Sequence, residues 1–370
     1  MKSLTTTCLI AGGGPAGMMA GLLLARAGVD VIVLEKHEDF LRDFRGDTVH
    51  PSTMQVLHEL GLLEDFLKRP HQEITTVEGE IGNTPIKIGD LTHLPTAAKF
   101  IALMPQWEFL NFLSEKAKAY PNFHLMMRCE ARFLVVEGER VCGLRVDTPE
   151  GMVEIKADLV IGADGRHLQL RATSGLTVKK LGVPIDVLWL RIAHHDGDAK
   201  SVFGRITNGA IFVMLYCGDY WQCALVIRKD GLEAIKAEGI DAFRARVAAL
   251  AHRARADEIA SWDDVKLLTV AVDRLERWWR PGLLFIGDAA HAMSPIGGVG
   301  INLAIQDAVA ASNILAKPLL KRALKPSHLV AVQKRRRFPT WITQAMQVAV
   351  QNTIMRDVLG ARASSGCRSR

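Results

Sequence analysis

A glycine-rich turn between two apolar runs constrains the fold more than any other feature of the chain. Residues 4–11 are mostly β-branched or apolar, which is typical of a buried parallel strand. The turn Gly12-Gly13-Gly14-Pro15-Ala16-Gly17 then matches G-x-G-x-x-G, and residues 18–27 continue with helical character. A second apolar run, residues 29–34, ends at Glu35. This order predicts a compact βαβ unit.

Each glycine of the turn has a physical role at a bound dinucleotide. Gly12 permits the tight turn, Gly14 leaves the backbone open to a pyrophosphate, and Gly17 lets the helix pack close to the strand. The free N–H groups and the positive dipole at the helix N-terminus attract phosphate. Glu35 stands 18 residues after Gly17, where its carboxylate can accept hydrogen bonds from ribose hydroxyls and disfavours a 2′-phosphate. The unit therefore predicts FAD or NAD, not NADP, as the bound dinucleotide.

A second strand, glycine loop and helix follow late in the chain. The apolar run 283–286 leads into Gly287-Asp288-Ala289-Ala290-His291. The glycine-rich stretch 295–302 then precedes a helical pattern over residues 303–320. Because a nicotinamide dehydrogenase needs no second element of this kind, the pair of units favours FAD.

A third motif, Ala163-Asp164-Gly165-Arg166, follows the apolar run 157–162. With the three motifs in this order, the chain resembles the class A FAD-dependent aromatic monooxygenases, the para-hydroxybenzoate hydroxylase-like family, over nearly its whole length. The resemblance implies an α/β fold in which a Rossmann-like (GR2-type) FAD-binding domain is interleaved with a mostly antiparallel β-sheet substrate domain.

The resemblance also implies a division of the chain. The FAD-binding domain with its C-terminal helices takes residues 1–74, 106–177 and 271–360, the substrate domain takes 75–105 and 178–270, and 361–370 form a frayed tail. The length of 370 residues agrees with two domains.

The resemblance further assigns contacts to FAD. It implies that Asp288 bonds the ribitol, that Arg45 lies near the pyrophosphate, and that Asp164 and Arg166 serve both FAD and a visiting NAD(P)H. A Leu occupies position 168, where the family often has Ser, so the NAD(P)H contact is less well supported than FAD binding. The full set predicted to bind the cofactor is Gly12, Gly14, Pro15, Ala16, Gly17, Glu35, Lys36, Arg45, Gln106, Asp164, Gly165, Arg166, Gly287, Asp288, Pro295, Gly298, Val299, Gly300, Ile301 and Asn302.

An antiparallel sheet is predicted for the substrate domain. Residues 186–193 alternate in part, and Asn208-Gly209 separates two strand-like runs, 201–206 and 210–216, as in a β-hairpin. Because a shift of one residue in register inverts the faces, the pattern leaves open which face meets a ligand. The pocket candidates are Trp189, Arg191, Phe203, Phe212, Met214 and Tyr216.

The resemblance implies a reaction in which NAD(P)H reduces FAD and O2 forms a flavin C4a-hydroperoxide. This species would hydroxylate a phenolic, quinone-like or polyketide-type ring. The catalytic candidates are His291 and Tyr216, either of which could move the phenol proton, and Pro295 at the start of the second glycine loop. Two alternatives stay open: another flavin oxidoreductase on the same fold, or a flavin-binding protein without turnover. A halogenase is disfavoured because its Trp-x-Trp-x-Ile-Pro signature is missing.

Composition narrows the class of protein and its partners. A net charge of +6 with 49% hydrophobic residues excludes a disordered or collagen-like chain. The six cysteines form no C-x-x-C pair, which predicts no metal site and reduced thiols in the cytoplasm. The expected partners are a small aromatic substrate and O2. Nucleic acid is not expected, because the densest basic run, residues 334–337, is interpreted as a solvated helix end.

Glycines interrupt the apolar N-terminal stretch, so no transmembrane segment is predicted. The mild positive charge is compatible with weak association with an anionic membrane surface. The sequence is compatible with a monomer or a homodimer.

Overall fold

The computed structural model describes residues 3–40, 48–82, 84–165, 169–195, 202–207, 209–251 and 256–354. The chain divides into two compact units, each built from separate stretches of sequence. The first unit is Met1–Thr48, Pro105–Leu181 and Val272–Gln344, and the second is Val49–Met104, Gly182–Ala271 and Ala345–Arg370. Residues 49–74 and 345–360, predicted for the FAD-binding domain, therefore fall in the second unit.

The elements confirm the predicted mixed α/β class. The strands are β1 (Ser3–Ala11), β2 (Val31–Leu34), β3 (Thr48–Val49), β4 (Gln72–Ile74), β5 (Thr76–Ile81), β6 (Thr84–Asp90), β7 (Ile101–Leu103), β8 (Phe123–Met126), β9 (Glu130–Glu137), β10 (Arg140–Thr148), β11 (Gly151–Gly162), β12 (Val178–Lys180), β13 (Ile185–Ala193), β14 (Val202–Thr207), β15 (Ala210–Tyr216), β16 (Tyr220–Arg228), β17 (Lys266–Leu268), β18 (Asp273–Leu275), β19 (Trp279–Arg280), β20 (Leu283–Phe285) and β21 (His291–Ala292). The α-helices are α1 (Pro15–Arg26), α2 (Pro51–Glu59), α3 (Leu63–Leu67), α4 (Gln106–Lys118), α5 (Gln169–Thr173), α6 (Leu232–Ala237), α7 (Ile240–Leu250), α8 (Gly300–Leu320) and α9 (Pro326–Ile354).

The first unit is built on a sheet with the strand order β19-β20-β11-β1-β2-β8. Neighbouring strands from β20 to β8 run parallel, whereas β19 pairs antiparallel at the edge, and β10 and β9 extend from β11. The chain leaves β1 for β2 on one side and later returns to β11 on the other side. This reversal beside β1 is a topological switch point, where open α/β sheets bind their ligands.

Small residues bring α1 close to the sheet. A Cβ atom on Gly17 would lie 1.9 Å from the carbonyl oxygen of Gly12, and one on Gly21 would lie 2.8 Å from Val33. Helix α8 packs on α1. Within the described residues, the segment Ile296–Leu320 meets the length and composition of a membrane span, with a mean hydropathy of 1.3, but half of its apolar window is buried inside the protein. The buried residues of α8 pack inside the protein.

The second unit is built on a sheet with the order β17-β13-β16-β15-β14-β5-β6, antiparallel except where β14 meets β5. The predicted hairpin is confirmed, because β14 and β15 pair up to Thr207 and Ala210, and Gly209 has φ of 95°. Asn208 lies outside the described residues.

The basic run is not a solvated helix end. Lys334 to Arg337 lies inside α9, which continues through Pro339 to Ile354. The side chain of Arg336 is buried, with 7% of its surface exposed. The prediction was wrong at Arg336, because a buried carboxylate on α8 supplies a partner that sequence patterns do not show.

Candidate functional site

Three loops meet at one edge of the first unit's sheet. Gly12 follows β1, Ala163 follows β11, and Gly287 follows β20 after one residue. The ends of these strands are in register, since Ala11 pairs with Gly162 and Gly162 pairs with Phe285. The parallel sheet thus brings together three motifs that are widely separated in sequence.

The first glycine loop touches the Asp164 loop through its backbone. Gly12 has φ of 110°, and a Cβ atom on it would lie 2.5 Å from the Cα of Asp164. A Cβ atom on Gly14 would meet only the Ala163 oxygen, at 4.0 Å, so this side of the loop is open. Helix α1 begins at Pro15 with no side-chain cap and no acidic residue in its first turn. Its free N–H groups can therefore receive a phosphate.

Glu35 is held beside this loop at the end of β2. Its Oε2 accepts a hydrogen bond from the N–H of Gly13 at 3.0 Å, and its Oε1 accepts one from the N–H of His37 at 3.0 Å. Two backbone bonds therefore fix the direction of a half-buried carboxylate next to the glycine turn. The neighbouring Lys36 is exposed, and its charge acts on Asp164.

Asp164 carries a polar atom that lacks a partner. Its Oδ1 is inaccessible to solvent and has no hydrogen bond to the described residues. Burial raises the pKa of this carboxyl well above its usual range, outweighing its own backbone hydrogen bond and the charge of Lys36, which lower it. A buried polar group of this kind calls for a partner, which a polar ligand can supply. The Asp164 carboxyl, the open end of α1 and the glycine cradle together fit a dinucleotide such as FAD.

The Gly287 turn lies between α1 and α8. Gly287 has φ of 59°, and a Cβ atom on it would lie 3.0 Å from Ala16 on α1 and 3.4 Å from Ala304 on α8. The next residue, Asp288, is exposed. This packing fixes the turn and leaves the side chain that is predicted to bond the ribitol on the surface.

The loop before α8 is shaped by Thr48, a residue that sequence reasoning missed. Its hydroxyl donates to the carbonyl oxygen of Gly298 at 3.1 Å, and a Cβ atom on Gly298 would lie 2.5 Å from that hydroxyl oxygen. The amide of Asn302 donates to the same carbonyl at 3.2 Å. Helix α8 then begins at Gly300 with no side-chain cap and no acidic residue in its first turn. No pattern around Thr48 indicates a contact with a loop 250 residues away.

The other predicted cofactor residues are placed as follows. Gln106 is the first residue of α4 and half-buried, Pro295 precedes a short 3-10 turn, and Gly165 has φ of 87°. Val299 and Ile301 flank the start of α8. Arg45 and Arg166 lie outside the described residues, so their contacts stay predictions.

Two of the three catalytic candidates are buried. His291 is 1% exposed, and its Nε2 is 2.5 Å from Oδ2 of Asp307. Tyr216 is 8% exposed within an apolar core formed by the second unit's sheet with α6 and α7. His291 is thus a buried partner of Asp307 and Tyr216 is a core residue, and both catalytic roles stay predictions. Pro295 stays a prediction.

The sheet of the second unit has one packed and one less packed face. The Phe212 face packs against α6 and α7, and it carries Phe212, Met214 and Tyr216, with Phe203 on the same face through its pairing with Met214. The Trp189 face carries Trp189, Arg191, Val213, Leu215 and Gln222. Of the six pocket candidates, only Trp189 and Arg191 lie on the Trp189 face. Sequence reasoning missed Gln222, because it could not choose the face.

A buried polar atom also marks the Trp189 face. The indole Nε1 of Trp189 is inaccessible to solvent and has no hydrogen-bond partner among the described residues. The exposed Arg191 lies over the ring of Tyr220 at 4.6 Å. At one end of the face, Ile74 and Leu103 from β4 and β7 pack on Val202. The face therefore combines apolar cover with polar groups that can orient a ligand.

Comparison with known proteins identifies the family. Residues 5–346 match the model of the FAD binding domain family. The 6-methylpretetramide 4-monooxygenase of Streptomyces rimosus is 34% identical over 349 residues, which are 93% of this chain and 83% of that enzyme.

Solved structures share the fold at low sequence identity. A PqsL variant of P. aeruginosa has a TM-score of 0.83 at 20% identity, over 97% of this chain and 100% of that one. The p-nitrophenol 4-monooxygenase PnpA of Pseudomonas putida DLL-E4 has a TM-score of 0.76 at 22% identity, over 99% and 92%. The myxobacterial chondrochloren halogenase CndH has a TM-score of 0.81 at 17% identity, over 94% and 82%. From the family match and the Streptomyces relative, the chain belongs to the FAD binding domain family and is a flavoprotein monooxygenase of the class A aromatic hydroxylase type.

Proposed function

We propose that this enzyme uses NAD(P)H and O2 to hydroxylate a phenolic aromatic or polyketide-type substrate in the cytoplasm. The observation that carries the FAD part is the meeting of the three motif loops around Asp164, whose buried Oδ1 has no hydrogen-bond partner among the described residues. The substrate class is supported by the Streptomyces relative, whose name describes a 4-monooxygenase of 6-methylpretetramide. The five described cysteines are free thiols, which fits a reducing compartment.

When bound, FAD supplies the redox chemistry of the reaction with NAD(P)H and O2. The residues that would hold its diphosphate are Gly12, Gly14 and the uncapped start of α1, with Glu35 for the ribose hydroxyls. The uncapped N-terminus of α8 would stabilise negative charge on the reduced flavin ring, because its free N–H groups carry partial positive charge.

The substrate is proposed to bind on the Trp189 face. A flat ring can stack on the indole of Trp189, whose buried Nε1–H needs an acceptor such as a phenol or carbonyl oxygen. Val213 and Leu215 provide half-buried apolar surface beside it, which excludes water from the ring. The buried amide of Gln222 is a second polar group on this face. These groups position a ring and leave the oxidation to the cofactor.

Halogenation is the second candidate reaction, because a halogenase shares the fold. A likeness at 17% identity carries the fold alone, and the Trp-x-Trp-x-Ile-Pro signature is missing from this sequence. Hydroxylation is therefore favoured.

The proposal is tested by measuring NAD(P)H oxidation and O2 uptake with and without a panel of phenols and aromatic polyketides. We expect a subset of these compounds to stimulate both rates and to yield products heavier by one oxygen atom. If no aromatic compound stimulates turnover, or if halide ions are required and a halogenated product forms, the hydroxylase proposal is wrong.

A further inference from the structure

A single buried carboxylate joins three parts of the first unit. Asp307 lies on α8 and is fully buried. Its Oδ2 accepts hydrogen bonds from the N–H of Gly287 at 3.0 Å and from Nε2 of His291 at 2.5 Å. Its Oδ1 accepts one from Nε of Arg336 on α9 at 2.6 Å. The Gly287 turn, strand β21 and helix α9 are therefore joined through one side chain, that of Asp307.

Asp307 keeps its negative charge in this environment. Burial alone would raise the pKa of the carboxyl, but His291 and Arg336 together outweigh burial and hold the pKa below its usual value. A buried ion whose partner is removed is strongly destabilised. The buried charge of Asp307 is therefore stabilised by His291 and Arg336 together.

Asp307 bonds the backbone of the Gly287 turn directly. Gly287 has a positive φ and donates its N–H to the carboxylate, and the following residue is the exposed Asp288. Helix α9 is tied to the strand after this turn a second time, because the amide of Gln344 donates to the carbonyl oxygen of Ala292 at 3.0 Å. Side chains of α8 and α9 therefore bond the backbone both before and after Asp288.

His291 acts within this cluster. Since a carboxylate only accepts hydrogen bonds, its Nε2 carries the proton that bonds Asp307. Its Nδ1 is inaccessible to solvent and has no partner among the described residues, and its ring lies 4.8 Å from that of Trp278. The contacts that the structure gives this ring are therefore those of a buried partner of Asp307.

We propose that Asp307 is a positioning residue for FAD, and that His291 and Arg336 act through it to hold the Gly287–Asp288 turn in the shape that binds the cofactor. The proposal rests on FAD binding, which the family establishes, and is independent of the ring that is hydroxylated. Under this proposal, the buried Arg336 of α9 affects the FAD site through its bond to Asp307.

The first test replaces Asp307 with Asn and titrates the apoprotein with FAD, following flavin fluorescence, at a temperature well below the melting temperature of the variant. All three groups around Asp307 are donors, so at least one of them meets the amide NH2 and loses its acceptor. We expect the Kd for FAD to rise about tenfold or more in Asp307→Asn.

The matched control is Asp186→Asn in the second unit. Asp186 is also buried and also carries an ion pair, to Lys229 at 2.8 Å, and a bond from the N–H of Val270 at 2.9 Å. We expect this variant to lower the melting temperature and leave the Kd for FAD unchanged. A loss of stability without a loss of FAD affinity in Asp307→Asn would overturn the proposal.

A second pair of variants decides the question if Asp307→Asn does not fold. His291→Gln keeps a side-chain N–H donor for the carboxylate, whereas His291→Leu does not. We expect His291→Gln to bind FAD close to the wild-type Kd and His291→Leu to bind about tenfold more weakly. Equal FAD affinities in the two variants would contradict a role through Asp307.

Discussion

Gly12 and Asp164 are in direct backbone contact, with only 2.5 Å between the Asp164 Cα and the place where a Cβ atom on Gly12 would stand. This contact joins the first glycine loop to the loop that carries Asp164, whose buried Oδ1 has no partner among the described residues. Because the two residues follow neighbouring parallel strands, the sheet itself sets their distance. The shape of the cofactor cradle therefore depends on the absence of a side chain at Gly12.

Gly12→Ala is therefore expected to abolish FAD binding. The methyl group would collide with the Asp164 backbone, and φ of 110° is unfavourable for any L-residue with a side chain, which together cost about 3 kcal/mol. The FAD content of the purified protein and the melting temperature of the apoprotein measure the effect.

The control Gly151→Ala separates the effect of backbone strain at positive φ from the effect of a steric clash. Gly151 has a similar φ of 106°, but a Cβ atom on it would meet nothing within 4 Å. We expect a loss of about 1 kcal/mol in the free energy of unfolding with FAD content unchanged. Equal FAD content in the two variants would mean that the contact between Gly12 and Asp164 does not shape the site.

Thr48→Val is expected to weaken FAD binding several-fold. The substitution removes the hydroxyl that donates to Gly298 at 3.1 Å and frees the loop before α8, a loss of about 1 kcal/mol. Fluorescence titration with FAD measures the change. Thr148→Val is the control, since its hydroxyl makes a similar bond to the carbonyl of Gly151 at 2.8 Å in an exposed turn. A wild-type Kd in Thr48→Val would show that this hydrogen bond is dispensable.

The sequence predicts the parts of the site that are local. The glycine turn, Glu35 and the Gly287–Asp288 motif each stand next to a strand or helix whose periodicity is visible, so their places follow from the parallel sheet. The cluster around Asp307 has no such signal, because its ion pair with Arg336 joins two helices through the core. For the same reason, the basic run 334–337 gives no sign in the sequence that one of its members, Arg336, is buried.

The second unit shows the other limit of sequence patterns. The strands of its sheet are predicted from alternation, but alternation is identical for both faces. Helices α6 and α7 decide which face is packed, and their contact with Phe212 is a property of the fold. Only the structure shows that Trp189 lies on the face opposite the one that α6 and α7 cover.

The apoprotein is expected to lose stability as the pH rises above the usual titration range of aspartate. Burial raises the pKa of Asp164, so the folded apoprotein holds a proton that the unfolded chain has already released. Stability is then full below the ordinary aspartate pKa and falls until the pH passes the raised pKa. Melting temperatures between about pH 4 and pH 8 follow this change.

Asp164→Asn removes the titrating group and is expected to flatten this part of the pH profile. Asp30→Asn is the control, because the Asp30 carboxyl is about half exposed and accepts a bond from Thr6. If the profile of Asp164→Asn is parallel to that of the wild-type apoprotein, another group causes the pH dependence.

The assignment of the substrate to the Trp189 face predicts different effects for two aromatic residues of the same sheet. Trp189→Phe keeps a ring but removes the buried N–H donor, so the KM for the aromatic substrate should rise about fivefold to tenfold, as expected for one lost hydrogen bond. Tyr216→Phe should leave KM and kcat near their wild-type values, because Tyr216 lies in the core with His194 and Trp221. Steady-state NAD(P)H oxidation with the best substrate of the panel gives both constants. The reverse result, a raised KM in Tyr216→Phe and a normal one in Trp189→Phe, would place the substrate on the Phe212 face and exclude the binding mode proposed for this enzyme.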